Sequence, residues 1–138
     1  MNILKIVLVA SFLSAATLNA QDASKALKVG DKAKDFTLKN AQGKQVRLYS
    51  LLEKGNVVLT WYRGGWCPYC NLALKQLQDA LPEITAEGAV LVALTPELPD
   101  SSLSTKEKHQ LKFEVLTDLN NEVARNYGLV FKLDEATA

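Results

Sequence analysis

The sequence has few of the residues that bind metal ions, and its charges are nearly balanced. Among 138 residues there are two cysteines, one histidine and one methionine. A structural zinc site needs about four ligands. His109 and the two cysteines supply three, so we expect no metal site within one chain. The formal net charge is +1, and no basic face suggests a nucleic-acid partner.

An apolar run long enough to cross a membrane is also missing. The apolar segment at residues 6–18 follows the positive charge of Lys5 and is shorter than a span of about 20 residues. This pattern predicts a secretory signal peptide over residues 1–20, cleaved after Ala20. An uncleaved membrane anchor is the alternative. A cleaved chain would be exported, in a bacterium to the periplasm, where cysteine pairs are oxidised unless something reduces them.

Residues 57–70, VVLTWYRGGWCPYC, predict a strand, a sharp turn and the start of a helix. The first six residues form a β-prone apolar run, which we expect to be a buried central strand. Gly64 and Gly65 then allow the backbone to turn. Pro68 suits the first position of a helix, where its missing N–H group costs nothing.

The two cysteines of the chain both lie in this segment, at Cys-x-x-Cys spacing. Cys67 falls at or near the N-cap of the predicted helix, and Cys70 lies one turn inside. Helix N-terminal N–H groups and the helix dipole favour negative charge there, and this lowers the pKa of a thiol. The pair therefore predicts a redox-active dithiol. Two buried structural cysteines are the alternative.

A helical period follows over residues 68–87. Its apolar face is formed by five residues at spacings of four and three: Cys70, Leu74, Leu77, Leu81 and Ile84. Cys70 belongs to that face, so we expect it to be less exposed than Cys67. The continuous apolar run at residues 89–94 then predicts a strand covered on both faces, as in a parallel sheet.

The rest of the chain adds short elements before and after these. They are a hairpin of Phe36–Leu38 with Val46–Leu48, a helical turn at Tyr49–Lys54, a capping-box helix at Ser104–Leu111, a strand at Phe113–Leu116 and a helix at Glu122–Tyr127. Alternating strands and helices predict an α/β fold with a mostly parallel sheet. Reactive groups then belong at the carboxyl end of a strand, where the cysteines fall.

Four segments together resemble the thioredoxin-fold superfamily, and more closely the peroxiredoxin-like branch of the alkyl hydroperoxide reductase/thiol-specific antioxidant (AhpC/TSA) group. They are GDKAKDFTLKNAQGKQVRL, VVLTWYRGGWCPYC, GAVLVALTPELPD and FEVLTDLNNEVARNYGLVFKL. The resemblance implies an antioxidant oxidoreductase that reduces hydroperoxides without a bound cofactor. It also implies an external thiol reductant, either a thioredoxin-like protein or glutathione. The alternative is a thioredoxin- or TlpA-like oxidoreductase acting on protein disulfides, and an inactive binding module is a third possibility.

The resemblance also implies roles for the site residues. In a peroxiredoxin the nucleophile would be Cys70, with Cys67 standing where that family has threonine. In a thioredoxin-like enzyme Cys67 would attack and Cys70 would resolve, so the nucleophile stays open. Arg63 replaces the usual proline, and it is either a stabiliser of the thiolate or peroxide or a solvated loop arginine.

Three residues beside the cysteines are candidates for binding a substrate or partner: Trp66, Pro68 and Tyr69. Tryptophan and tyrosine are enriched at interfaces. The alternatives are that Trp66 simply covers the cysteine pair and that Tyr69 is an ordinary helix-surface residue. These three side chains complete the predicted site.

The predicted domains are a signal peptide (1–20), a polar tether (21–34) and a thioredoxin-like domain (35–138). The resemblance implies a later strand preceded by a cis-proline, an edge strand and a final helix. The residues after Phe131 do not supply them. We therefore expect the domain to be incomplete at its C-terminus, before that hairpin and helix. The alternative is a site that is open on one side.

Overall fold

The computed structural model describes residues 25–131. The predicted signal peptide, the first four residues of the predicted tether and residues 132–138 lie outside the described part. The strands are β1 (Thr37–Asn40), β2 (Gln45–Arg47), β3 (Asn56–Trp61), β4 (Ala89–Thr95) and β5 (Glu114–Thr117). The α-helices are α1 (Leu48–Leu52), α2 (Pro68–Ala86), α3 (Pro99–Lys108) and α4 (Glu122–Asn126), and a 3-10 turn at Leu119–Asn121 precedes α4.

The five strands form one mixed sheet in the order β2-β1-β5-β4-β3. β3, β4 and β5 are parallel, while the β1–β2 hairpin is antiparallel and joins the sheet through β5. This confirms the predicted α/β fold with its N-terminal hairpin. β4 has a neighbour on each side and is fully buried from Leu91 to Thr95, as its continuous apolar run predicted.

The predicted position of β3 in the sheet is wrong. We expected a buried central strand, but among the described strands β3 lies at the edge and pairs with β4 alone. Val58 is 41% exposed as a consequence. An apolar β-prone run indicates that a strand forms, but strand order is set by partners that are distant in sequence.

Two apolar cores cover the two faces of the sheet. One is formed by Phe36, Leu48, Leu51, Val92, Leu94, Leu116, Val123 and Tyr127. The other is formed by Tyr62, Leu74, Leu91, Ala93, Leu111, Phe113 and Val115. The predicted apolar face of α2 packs on the second core, with Leu74 buried and the rest of that face half-buried. This packing fixes the direction of α2 and therefore the place where it begins.

The third helix begins earlier than predicted. The capping-box pattern placed its start at Ser104, but α3 runs from Pro99, with Leu98 as the N-cap. Proline suits the first helical turn, and Asp100 places a negative charge near the positive end of the helix dipole. The earlier start shortens the loop between β4 and α3 to three residues, beside the cysteine pair.

Two tyrosine hydroxyls help to attach the chain before β1 to the rest of the fold. The Tyr49 hydroxyl donates to the carbonyl of Ala33 (3.1 Å), and the Tyr127 hydroxyl donates to that of Lys34 (2.7 Å). The described end of the predicted tether therefore contacts the first core. Between residues 25 and 131, no helix is both long and apolar enough to cross a membrane.

Candidate active site

The cysteine pair lies where the chain leaves β3 and enters α2. Cys67 is the N-cap residue, with extended backbone angles, and Pro68 opens the helix. The N–H of Cys67 donates to the Gly64 carbonyl (3.1 Å), and the N–H of Asn71 donates to the Cys67 carbonyl (3.1 Å). The predicted strand, turn and helix start are thus confirmed.

Both glycines of the turn lie too close to neighbouring atoms for a side chain. A Cβ atom at Gly64 would be 2.3 Å from Nε1 of Trp66, and one at Gly65 would be 2.0 Å from Oγ1 of Thr105. Real Cβ contacts are not this short, so a larger residue would displace the loop. The two glycines therefore let the loop pack between Trp66 and α3.

The burial of the two cysteines is the reverse of the prediction. Cys67 is only 6% exposed, whereas Cys70, expected to be the less exposed, is half-buried; both are free thiols. The apolar period of α2 predicted which face of the helix packs on the sheet, but not how far Cys67, which lies before the helix, is buried. Cys67 is covered because the loop before it turns back through the bond to Gly64.

Several donors converge on the Cys67 sulfur and hold the pKa of its thiol below the ordinary value of 9.0. The largest cause is a hydrogen bond from the Cys70 thiol, followed by its backbone N–H; the N–H of Tyr69 and the charge of Arg63 contribute less. Burial acts in the opposite direction. The site therefore favours a thiolate at Cys67.

The other predicted site residues form the outer surface around the cysteines. The guanidinium of Arg63 lies over the Trp66 ring, 5.0 Å from its centroid. Trp66 and Tyr69 are 64% and 84% exposed, and Pro68 is exposed between them. This arrangement gives the cysteine pair an aromatic rim with one positive charge.

Glu97 is a site residue that the sequence analysis missed. It lies in the loop between β4 and α3, and its Oε2 accepts a hydrogen bond from the N–H of Gly65 (2.9 Å). Asn71 also holds Gly65, because its Nδ2 donates a hydrogen bond to the Gly65 carbonyl (2.8 Å). The carboxyl ends of neighbouring parallel strands meet at one edge, and that rule was the available signal for Glu97.

Tyr62 was also missed as a site residue. Its ring is buried in the second core, against which Cys70 packs. Its hydroxyl is buried, forms no close hydrogen bond among residues 25–131 and has the hydroxyls of Thr95 and Ser102 beside it. Nothing in the local sequence distinguishes this tyrosine from an ordinary strand residue. Within the same described part of the chain, no three histidine, cysteine or acidic side chains are grouped to hold a metal ion.

A pair of thiols at the start of a helix that follows a strand of an α/β sheet is the arrangement of the thioredoxin-fold class. A family model, the AhpC/TSA family, matches residues 29–138. The chain belongs to the AhpC/TSA family.

Individual relatives fall in two groups. Peroxiredoxin bcp of Haemophilus influenzae is 32% identical over 103 residues, which are 75% of this chain and 66% of that protein. The thiol-disulfide oxidoreductase ResA of Bacillus thuringiensis is 26% identical over 105 residues, 75% of this chain and 60% of that protein. The crystal structure of peroxidoxin BcpB from Mycobacterium tuberculosis matches with a TM-score of 0.69 and 27% identity, covering 72% of this chain and 64% of that one. The chain thus spans about two thirds or less of the length of these relatives.

Proposed function

We propose that this protein is a thiol peroxidase that reduces hydroperoxides through a Cys67–Cys70 dithiol/disulfide cycle. The observation that carries the proposal is the placement of two free thiols at the start of α2, Cys67 at the N-cap and Cys70 in the first turn, in a chain of the AhpC/TSA family. The lowered pKa of the Cys67 thiol agrees with it. A thiolate is the nucleophilic form of cysteine. The name peroxiredoxin, given to a relative 32% identical, supports peroxide as the substrate.

In the first step the Cys67 thiolate attacks one oxygen of the hydroperoxide. A sulfur–oxygen bond forms, the oxygen–oxygen bond breaks, and the alkoxide or hydroxide that leaves takes up a proton. Cys67 becomes a sulfenic acid, oxidised by two electrons. Arg63 is placed to favour the thiolate, since its charge lowers the pKa of Cys67.

In the second step Cys70 loses its proton and its sulfur attacks the sulfur of the sulfenic acid. The disulfide forms, the sulfur–oxygen bond breaks, and hydroxide leaves as water. The two sulfurs are neighbours on the first turn of α2, so this step is intramolecular and fast. An external thiol, from a thioredoxin-like protein or glutathione, then reduces the disulfide by exchange. The exposed surfaces of Trp66, Pro68 and Tyr69 are the proposed docking site for that reductant.

The test is to mix the fully reduced chain with one equivalent of hydrogen peroxide and follow the loss of thiols with time. We expect both thiols to disappear within seconds, far faster than free cysteine at the same pH. The Cys67→Ser and Cys70→Ser variants assign the roles. The Cys70→Ser variant, which retains Cys67, should form a sulfenic acid that dimedone traps. The Cys67→Ser variant, which retains Cys70, should not.

Two outcomes would change this proposal. Loss of thiols at the rate of free cysteine would contradict peroxidase activity. A dimedone adduct found only on Cys70 would keep the activity but exchange the two roles, as in the peroxiredoxin pattern. Serine is close to cysteine in size, so we expect both variants to fold. A urea melt of each variant checks this.

Thiol–disulfide exchange is the second candidate function. The relative ResA carries that activity in its name, and the N-cap position of Cys67 suits attack on a disulfide as well as on a peroxide. The reduced chain would then reduce an exposed protein disulfide at a rate that depends on Cys67, while peroxide consumes its thiols no faster than free cysteine.

We also propose that the protein is exported, in a bacterium to the periplasm. The support is the order of features in residues 1–20: a positive charge at Lys5, then an apolar segment, then a small residue at Ala20. Expression of the full chain in a bacterial host, followed by fractionation and N-terminal sequencing, should give a periplasmic protein that begins at Gln21. A chain that stays in the membrane fraction with its N-terminus intact would instead indicate an anchor.

A further inference from the structure

Gly65 is held on both of its backbone polar groups by side chains from two different elements. Its N–H donates to Oε2 of Glu97 (2.9 Å), in the loop after β4, and its carbonyl accepts from Nδ2 of Asn71 (2.8 Å), in α2. On a third side, a Cβ atom on Gly65 would lie 2.0 Å from Oγ1 of Thr105, in α3. The backbone at Gly65 is therefore fixed to α2, to α3 and to the loop after β4.

The turn that contains Gly65 leads directly into the cysteine pair. The N–H of Cys67 donates to the Gly64 carbonyl (3.1 Å) and closes this turn, and the N–H of Asn71 donates to the Cys67 carbonyl (3.1 Å). Asn71 therefore bonds to Gly65 through its side chain and to Cys67 through its backbone. Because the link between Gly65 and Asn71 spans both cysteines, a displacement of the turn would change the separation of the two sulfurs.

The Asn71 side chain is incompletely hydrogen-bonded. Its Oδ1 is buried and forms no hydrogen bond within residues 25–131. An unpaired buried acceptor lowers stability, and this loss opposes the gain from the one bond that Nδ2 makes to Gly65. Native proteins usually avoid such groups unless a function requires them. Stability of the fold therefore does not explain Asn71, whereas the position of the turn does.

We propose that Asn71 and Glu97 are positioning residues, which hold Gly65 and so keep the Cys67 sulfur within bonding reach of Cys70. Both cysteines lie at the start of α2, where Cys67 is the N-cap residue and Cys70 is in the first turn. A fixed turn raises the effective concentration of one sulfur at the other, and this favours the disulfide over the dithiol. The inference rests on the two-cysteine cycle proposed above and specifies what holds the pair together.

The test is the equilibrium of the full chain with a glutathione redox buffer. Oxidation forms the Cys67–Cys70 bond and breaks the disulfide of oxidised glutathione. The two electrons and the two thiol protons pass to glutathione, which leaves as two thiols. The ratio of disulfide to dithiol in the chain then gives the effective concentration of the pair.

We expect Asn71→Ala to lower this effective concentration by about three- to tenfold, the effect of one ordinary hydrogen bond. Glu97→Ala, which removes the other bond to Gly65, should lower it in the same direction. Glu97→Gln keeps an acceptor oxygen and should leave it near the wild-type value, which separates the hydrogen bond of Glu97 from its charge.

Asn40→Ala is the matched control. The Oδ1 of Asn40 accepts from the N–H groups of Gln42 (3.0 Å) and Lys44 (2.9 Å), in the hairpin of β1 and β2. We expect this control to lower the midpoint of urea unfolding and to leave the glutathione equilibrium unchanged, because a loss shared by dithiol and disulfide cancels. Asn71→Ala should lower the urea midpoint less, since it also removes an unpaired acceptor.

A glutathione equilibrium that Asn71→Ala leaves unchanged, or moves toward the disulfide, would overturn the proposal. An equal shift in Asn40→Ala would also overturn it, because lost stability and not the position of the turn would be the cause. A wild-type chain that forms no Cys67–Cys70 disulfide in oxidised buffer would overturn the two-cysteine cycle as well. A disulfide that forms equally well in the wild-type and Asn71→Ala chains would refute this inference alone.

Discussion

Two polar groups at the same end of the sheet differ in how completely they are hydrogen-bonded. Asp118 follows β5 and is fully buried. Its carboxylate accepts from the N–H groups of Val123 and Ala124 (both 2.9 Å) and from Nε1 of Trp61 (3.3 Å). Tyr62 follows β3 and is almost as buried, but its hydroxyl forms no close hydrogen bond in residues 25–131 and has only the hydroxyls of Thr95 and Ser102 beside it.

The difference separates a structural site from a reactive one. Asp118 accepts from two N–H groups in the first turn of α4 and ties that helix to the end of β3, so its three bonds stabilise the fold. The donors around the cysteines instead converge on the Cys67 sulfur, where they favour the reactive thiolate. If this interpretation is right, changes at Asp118 should act on stability, and changes around the cysteines should act mainly on reactivity.

The largest expected effect is the loss of stability in Asp118→Ala. Three buried donors would lose their acceptor, and we expect the free energy of unfolding to fall by about 3 kcal/mol. Urea unfolding followed by tryptophan fluorescence measures this loss. Asp118→Asn keeps one acceptor oxygen and should lose clearly less. An Asp118→Ala chain with near wild-type stability but slow thiol chemistry would break the distinction between the two sites.

The next effect is a change in the reactivity of Cys67 in Cys70→Ala. The Cys70 thiol is the largest cause of the lowered pKa of Cys67, so its removal should raise that pKa toward 9.0. The pH profile of Cys67 alkylation should move to higher pH, and the thiolate fraction at neutral pH should fall. Stability should change little, because Cys70 is half-buried at the start of the helix.

Arg63→Ala provides the comparison for this experiment. The charge of Arg63 is the smallest cause of the lowered pKa of Cys67, so its removal should move the profile in the same direction but less far. The contribution of Arg63 should also weaken in high salt, because the side chain is exposed. A larger shift from Arg63→Ala than from Cys70→Ala would mean that the charge, and not the neighbouring thiol, is the main cause of the lowered pKa.

The smallest effect is expected for Glu97→Ala. This change removes the acceptor for the N–H of Gly65, and we expect a loss of about 1 kcal/mol in stability and a several-fold slower loss of thiols with peroxide. Glu97→Gln keeps an acceptor oxygen and should retain most of both properties. Equal impairment in the two variants would show that the negative charge of Glu97 matters more than its hydrogen bond.

Local patterns in the sequence predicted the strand, turn and helix around the cysteines, the hairpin and the apolar face of α2. They failed where a competing local signal, the order of the strands or the path of a loop decided the outcome. The capping-box pattern at Ser104 was overridden by an earlier start at Pro99, and the edge position of β3 depended on strand order. The relative burial of Cys67 and Cys70 depended on how the preceding loop folds back.

The sequence by itself determined that a dithiol begins a helix directly after an apolar strand. Glycine, proline and apolar period act on the backbone within a few residues, so this part could be derived without coordinates. Only the tertiary structure decided which other groups reach the dithiol. Pairing of Trp61 with Leu94 aligns the ends of β3 and β4, and this brings Glu97 to Gly65 across 32 residues of chain. Likewise, the packing of α2 on the sheet places Cys70 against the second core, which includes residues from β4 and β5.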